Sequence, residues 1–358
     1  MANIISIGTA LPRYCHEQSD ILHFMQKAFH LDENDSRKLG FLYRQSDVDK
    51  RYSVLEEFSE PEENWSFVQK GEKDKSLNER MQIFDAHAVS LSVNAINHCI
   101  KGFIGKDEIT HLITVSCTGM SAPGLDLQVA EEMKLRNNIF RTSVNFMGCY
   151  AAIHALKIAK MICDSSKNAN VVLVCTEICT IHFQKEFTQD NATSSMLFSD
   201  GSAAVLVSNK NYNNSLHLDS FHSEVIYKGK NDMSWQLSDH GFIMKLSAYI
   251  PDLIQHDIVD FLSRALEETN LTKEDITHWC IHPGGKKIID VIESKAGLKA
   301  DDTKYARNIL RQYGNMSSPT ILFVLKEMMN DLSKSSANVI GLAFGPGLTI
   351  ESFIATKA

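Results

Sequence analysis

The feature that most constrains the fold is an internal correspondence between the two halves of the 358-residue chain. GCYAAIHALKIAKM (148–161) and GNMSSPTILFVLKEM (314–328) each open on glycine, continue through a polar, reactive-type residue and small residues, and run on as an apolar helix with basic residues near its end. A strand follows each, VVLVC in one half and VIGLAF in the other. Upstream, ITVSC and WCIH each lead through a Gly/Pro turn, TGMSAPG or PGG, into a further helix. Self-similarity of this kind marks a duplicated α/β unit with a pseudo-twofold relation between its copies. It places Cys149 and Asn315 at the starts of equivalent helices and Cys117 and His282 at equivalent strand ends. Cysteine, histidine and asparagine are thereby expected to converge on one site.

The strands of this unit are β-branched runs: HLITVSC (111–117), NVVLVCTE (170–177), SAAVLVS (202–208), THWCIH (277–282) and NVIGLAF (338–344). Their continuous apolar character is that of strands covered on both faces. IPDLIQHDIVDFLSRALEETN reads as a helix with Pro251 tolerated in its first turn. The polar stretch NKNYNNS (209–215) separates an N-terminal half, 1–210, from a C-terminal half, 216–358, that share one interface.

A net charge of −8 argues against a nucleic-acid binder, which needs a basic surface to neutralise phosphates. No basic start is followed by a long apolar run, and no stretch approaches the ~18–20 apolar residues of a membrane span. A cytoplasmic location is expected. Eight cysteines, mostly inside apolar segments and without CxxC spacing, point to reduced thiols rather than a disulfide framework or a zinc site, and no metal is expected.

Each residue of the trio also has a structural reading. A cysteine after glycine is most often a small core residue, a histidine ending a strand can be a satisfied structural group, and asparagine is an excellent helix N-cap. Chemistry becomes persuasive only for the three together. The helix N-terminus contributes at most ~2 kcal/mol, enough to bring a cysteine from about 8.5 to about 7. A protonated His282 within ion-pair reach is expected to lower it further.

At these residues the chain strongly resembles the type III polyketide synthases, the chalcone and stilbene synthase-like branch of the thiolase superfamily. The resemblance is carried by MGCYAA around Cys149, LFSDGSAAVLV around Phe198, IHPGG around His282, YGNMSS around Asn315 and FGPGLTIES near the end, in family order. It implies a five-layered αβαβα fold, a homodimer, and a coenzyme A tunnel leading to a buried site. Cys149 would accept a starter acyl group, and His282 and Asn315 would hold the thioester carbonyl of malonyl-CoA as carbon dioxide leaves. No metal or redox cofactor is implied.

By the same resemblance Phe198 is the gate between tunnel and cavity, Met244 replaces a second gate aromatic, and Cys117, Cys179, His182, Trp235 and Ser317 line the cavity. Cys117 stands where plant members have threonine and is similar to certain bacterial members. His182 and Trp235 are bulkier than their plant counterparts, which predicts a short cavity and a small starter or few extensions. Lys38, Arg44, Lys50 and Arg51 are candidates for binding coenzyme A, with Lys38 on a family position and Phe41 and Gln45 where other members are basic. Lys287 falls near the tunnel mouth.

Rival readings fit less well. Initiating β-ketoacyl carrier-protein synthases resemble HQAN and GNTS where this chain has HPGG and GNMSS. Hydroxymethylglutaryl-CoA synthase uses a catalytic glutamate. A papain-like protease leaves HPGG, FGPG and the duplication without a role. A non-catalytic acyl-CoA-binding protein on the same frame would have no need of all three reactive residues.

Overall fold

The computed structural model describes residues 1–357 apart from 70, 72, 248 and 333–335. The first half runs β1 (Asn3–Ala10), β2 (Tyr14–Glu17), α1 (Gln18–Ala28), α2 (Glu33–Arg44), β3 (Lys50–Ser53), α3 (Leu77–Ile100), β4 (His111–Ser116), α4 (Leu125–Glu132), β5 (Phe140–Asn145), α5 (Ala151–Ser165), β6 (Asn170–Ile178), α6 (Gln189–Leu197) and β7 (Asp200–Ser208). The second runs β8 (Leu216–Val225), β9 (Met233–Ser238), β10 (Gly241–Leu246), α7 (Ile250–Glu267), β11 (His278–Ile281), α8 (Lys286–Ala296), α9 (Lys304–Tyr313), α10 (Thr320–Asp331), β12 (Ala337–Gly345) and β13 (Thr349–Lys357).

The main strands follow the order β11-β12-β13-β8-β1-β7-β6-β4-β5. Read outward from the β1–β8 seam, the two halves repeat one pattern: β7-β6-β4 on one side and β13-β12-β11 on the other. The seam itself is two residue pairs long, Asn3 with His217 and Ile4 with Leu216. The duplication is therefore real in three dimensions. It departs from symmetry where the chain between α4 and α5 forms the edge strand β5, while the chain between α8 and α10 forms α9.

Strand alternation sends neighbouring residues into different cores. Leu112 and Ile113 of β4 pack on opposite faces, as do Val172 and Leu173 of β6. One core lies between the first-half strands and α3. A second lies between the second-half strands and α7 and α8. The third combines the inner faces of both halves with α5 and α10. This gives helix, sheet, central helices, sheet and helix: the five-layered αβαβα arrangement of the thiolase-like fold. Strands buried on both faces explain why the runs around β4, β6, β7, β11 and β12 were legible as continuous apolar sequence.

A smaller ribbon stands apart. β9 and β10 pair only with each other, Trp235 opposite Met244 and Met233 opposite Leu246. Residues directly opposite share a face, so these side chains form one apolar wall that faces the cavity described below.

Packing between β1 and α3 leaves no room for a side chain at Gly8, where a Cβ would lie 2.2 Å from both the Ala95 carbonyl oxygen and the Cys99 nitrogen. These are backbone atoms and cannot rotate away. Gly8→Ala is expected to destabilise the protein by about 3 kcal/mol, measurable as a loss of urea midpoint without change of slope.

Candidate active site

Cys149 lies in the turn between β5 and α5. Phe146 and Gly148 both take positive φ, 58° and 86°, and the Ala151 N–H closes on the Gly148 carbonyl at 3.1 Å. A Cβ on Gly148 would sit 2.3 Å from Pro346 Cδ. The glycine of the GCY motif thus serves two needs, a left-handed backbone and close approach of the FGPG loop from the second half.

The other two residues arrive from the second half. His282 follows β11, its backbone N–H donating to the Leu342 carbonyl at 2.8 Å. Asn315 lies five residues before α10 rather than at its N-cap. Its Oδ1 accepts the Ser317 N–H at 2.8 Å, which fixes the amide with Nδ2 free to donate. Its backbone pairs with the end of α6: the Asn315 N–H donates to the Leu197 carbonyl at 2.9 Å and the Ser199 N–H to the Asn315 carbonyl at 3.0 Å. Phe198 is thereby held beside Asn315 in an isolated bridge. Ser317 is a non-glycine residue at φ 59°, and its Oγ lies 3.5 Å from Cys149 Sγ.

Cys149, His282, Asn315, Phe198, Ser317, Cys117, Cys179, His182, Trp235 and Met244 all line one cavity of about 90 Å³. Ten positions scattered over the sequence are thus brought together. Lys38, Arg44 and Lys287 are exposed and outside its lining, with Lys38 Nζ 2.8 Å from Asp35 Oδ1. Arg51 is no surface contact for a cofactor. It is buried, donating from Nε to Gln18 Oε1 at 3.0 Å and from Nη1 to the Phe198 carbonyl at 2.6 Å.

The electrostatics correct one expectation. Burial pushes the Cys149 thiol up to about 11. The Ser317 hydroxyl and the Asn315 amide draw it down, and the Glu177 charge adds to the rise. Burial alone lowers His282 to about 3. Neither shift draws on the other residue, so burial favours a neutral thiol and a neutral imidazole over the anticipated ion pair. A single charge in this desolvated space costs more than the helix end returns. Both ring nitrogens of His282 are buried without a hydrogen-bond partner among the described residues.

Sequence reasoning missed Glu177. Its carboxylate is wholly buried at the end of β6 and accepts from the Cys117 N–H at 2.8 Å, the Thr118 hydroxyl at 2.8 Å and the Ser318 hydroxyl at 2.6 Å. It ties the turn after β4 to the loop before α10, across the two halves. An acid ending the apolar run NVVLVCTE was the available signal. Three further contacts define the inner wall. His182 Nε2 donates to the Thr118 carbonyl at 2.7 Å, and its Nδ1 accepts the Phe242 N–H at 3.0 Å. Trp235 Nε1 donates to the Cys117 carbonyl at 2.6 Å.

Comparison with known proteins decides what this arrangement belongs to. Residues 1–211 match the family model for the N-terminal domain of chalcone and stilbene synthases, and residues 217–357 match that for their C-terminal domain.

The chain belongs to the chalcone and stilbene synthase family.

Members of this family are acyltransferases of the type III polyketide synthase kind, and the chain is one of them. The fold is shared with PKS-I from the brown alga Ectocarpus siliculosus, at 24% identity and a TM-score of 0.92 over 100% of this chain and 98% of that one. It is shared as well with the C-terminal type III polyketide synthase domain of Steely1, a type I/III hybrid from Dictyostelium, at 26% identity and a TM-score of 0.91 over 99% of both chains.

Glu177 provides a test of the site's electrostatics. Burial raises its carboxyl to about 7 in the folded chain, against roughly 4.3 unfolded. A raised acid favours folding at low pH, and that advantage is lost as pH rises through 7. Glu177→Gln removes the charge, so its effect on stability should become more favourable by about 1–2 kcal/mol between pH 5.5 and pH 8.5. Urea unfolding at the two pH values checks the sign.

Proposed function

We propose that the protein loads a small acyl group from coenzyme A onto Cys149 and extends it iteratively with malonyl-CoA. The observation that carries this reading is the convergence, in one cavity, of a thiol with two side chains able to donate hydrogen bonds. In the loading step the Cys149 proton passes to the neutral His282 imidazole as Sγ attacks the thioester carbonyl, and the proton leaves with the coenzyme A thiol. Charging the two together avoids the cost that burial places on either alone.

In the second step the thioester oxygen of malonyl-CoA sits between Asn315 Nδ2 and the N–H of His282. The C–CO₂⁻ bond breaks, carbon dioxide leaves, and the electron pair becomes an enolate whose oxygen both donors hold. Preorganised donors at a developing oxyanion are typically worth 10²–10³ in rate. The carbanion then attacks the acyl–Cys149 thioester and breaks its C–S bond, Cys149 leaves as a thiolate that takes a proton from water, and the extended chain remains on coenzyme A until it returns to the cysteine. The lowered pKa of His282 fits this step, since a neutral imidazole donates without leaving a buried positive charge.

No cofactor is needed for these steps. Lys38, Arg44 and Lys287 are proposed to meet the coenzyme A phosphates outside the cavity. A homodimer is proposed through β5, an edge strand with five of its six residues exposed, including Phe140 at 69%. Such an edge invites pairing with a second copy. None of the described helices is long and apolar enough to cross a membrane, and a cytoplasmic location is proposed.

The size of the starter follows from the inner wall. The His182 ring stacks on Phe242 at 4.2 Å and meets Trp235 edge-on at 5.5 Å. Both His182 nitrogens are already bonded, which makes it a wall rather than a base. At about 90 Å³ the cavity is far smaller than the roughly 300–1,000 Å³ of sites for drug-sized ligands.

Incubation with malonyl-CoA and acetyl-CoA should give an acetyl adduct on Cys149, absent from Cys149→Ala, together with carbon dioxide and polyketide products. Asn315→Ala should slow malonyl-CoA decarboxylation by about 10²–10³ and acylation of Cys149 far less; equal loss of both would remove Asn315 from the oxyanion role. Trp235→Gly should raise hexanoyl-CoA turnover relative to acetyl-CoA by about tenfold, read by product mass spectrometry. An unsubstituted protein that already prefers long-chain starters would overturn the small-cavity reading.

A further inference from the structure

Among the described residues, seven buried side-chain polar atoms lack a hydrogen-bond partner, and four belong to residues that line the single cavity around Cys149. Two are the ring nitrogens of His282. The others are Arg51 Nη2 and Ser194 Oγ. Buried donors without a partner are rare in folded proteins because each forfeits its hydration without return, so two more beside an active site mark a position that a water or a ligand oxygen can fill.

The surroundings make this a built position. Arg51 is 4% exposed, and its guanidinium is held by Gln18 and the Phe198 carbonyl with the Tyr43 hydroxyl against it, while Nη2 has no partner in hydrogen-bonding geometry. Its pKa is lowered by burial and held up by Tyr43 and Asp200. Asp200 spends its carboxylate on the N–H groups of Val54 and Thr180 and on the Thr180 hydroxyl, at 2.6–2.9 Å. The acid therefore balances the arginine electrostatically without occupying Nη2. Ser194 lies in the last turn of α6, where its backbone carbonyl accepts the Phe198 N–H at 3.1 Å. Both residues are thus anchored to the backbone of Phe198.

We propose that Arg51 Nη2 and Ser194 Oγ form a second oxygen-binding subsite, which holds the β-keto oxygen of a chain already extended once while the next condensation takes place at Cys149. This rests on the polyketide reading and adds to it a recognition element for the intermediate. A charge-balanced site with two donors and no acceptor needed suits a neutral carbonyl oxygen better than a free anion. An alkyl starter offers no such oxygen, whereas each extension places one on the chain. The subsite therefore separates the first condensation from those that follow, favouring retention of oxygenated chains over their release.

The test is the mean number of malonyl units incorporated per released chain, measured with acetyl-CoA and isotopically labelled malonyl-CoA by product mass spectrometry. Ser194→Ala should shift the ratio of multiply to singly extended products downward by about fivefold, and Ser194→Thr, which keeps the hydroxyl, should restore it. Arg51→Lys should move the ratio in the same direction, its folding checked by thermal unfolding. An unchanged ratio in Ser194→Ala, or loss of all products in equal proportion in both Ser194 variants, overturns the subsite and leaves the polyketide reading standing. An unsubstituted protein that stops at one extension also overturns it. Absence of any product from the unsubstituted protein overturns the polyketide reading and the subsite together.

Discussion

The structure depends on two central helices being buried against both halves at once. α5 supplies Ala151, Ala152, Ala155 and Ala159 to the shared core, and α10 supplies Ile321, Leu322, Val324 and Leu325. The alanines of one helix, beside its Ile153 and Leu156, and the branched residues of the other let both fit between sheets that lie on either side. With the helices fixed in the middle layer, the turn that precedes α5 and the loop that precedes α10 have to meet, and the reactive thiol and the fixed amide meet with them. The site is a consequence of layering before it is a matter of individual contacts.

Glu177 makes that meeting rigid. One carboxylate binds the turn carrying Cys117 and Thr118 to the loop carrying Ser318, and it does so at the cost of burying a charge that raises every neighbouring thiol. Burial opposes a standing thiolate at Cys149. Burial favours the neutral thiol of Cys149 and the neutral imidazole of His282, and in the proposed reaction charge is created and passed on only when an acyl thioester is present. The same desolvation that opposes ionisation at rest would strengthen the proposed hydrogen bonds of Asn315 and His282 to an enolate oxygen once it forms.

Much of this was legible in the chain. Strands covered on both faces print continuous apolar runs, so β4, β6, β7, β11 and β12 could be read directly. The Gly-Cys and Gly-Asn pairs marked the two turns because backbone with positive φ and close loop approach demand glycine, as the contact of Gly148 with Pro346 shows. The hairpin β9–β10 was less legible, since its apolar face looks into a cavity rather than a core. Asn315 also sits in a loop of its own rather than at the helix end, because its side chain turns back onto the Ser317 N–H.

By itself the sequence determined the duplication and the fold class and marked Cys149, His282 and Asn315 as candidates for one site, because periodicity and turn chemistry are local properties of a chain. Only the tertiary structure decided how burial shifts Cys149 and His282, the place of Glu177, and the shape of the cavity. Each of these depends on desolvation and on distances between residues far apart in sequence: Ser318 lies 141 residues from the carboxylate it meets, and Trp235 lies 118 from the carbonyl it closes upon. No local pattern encodes how much water is left around a thiol.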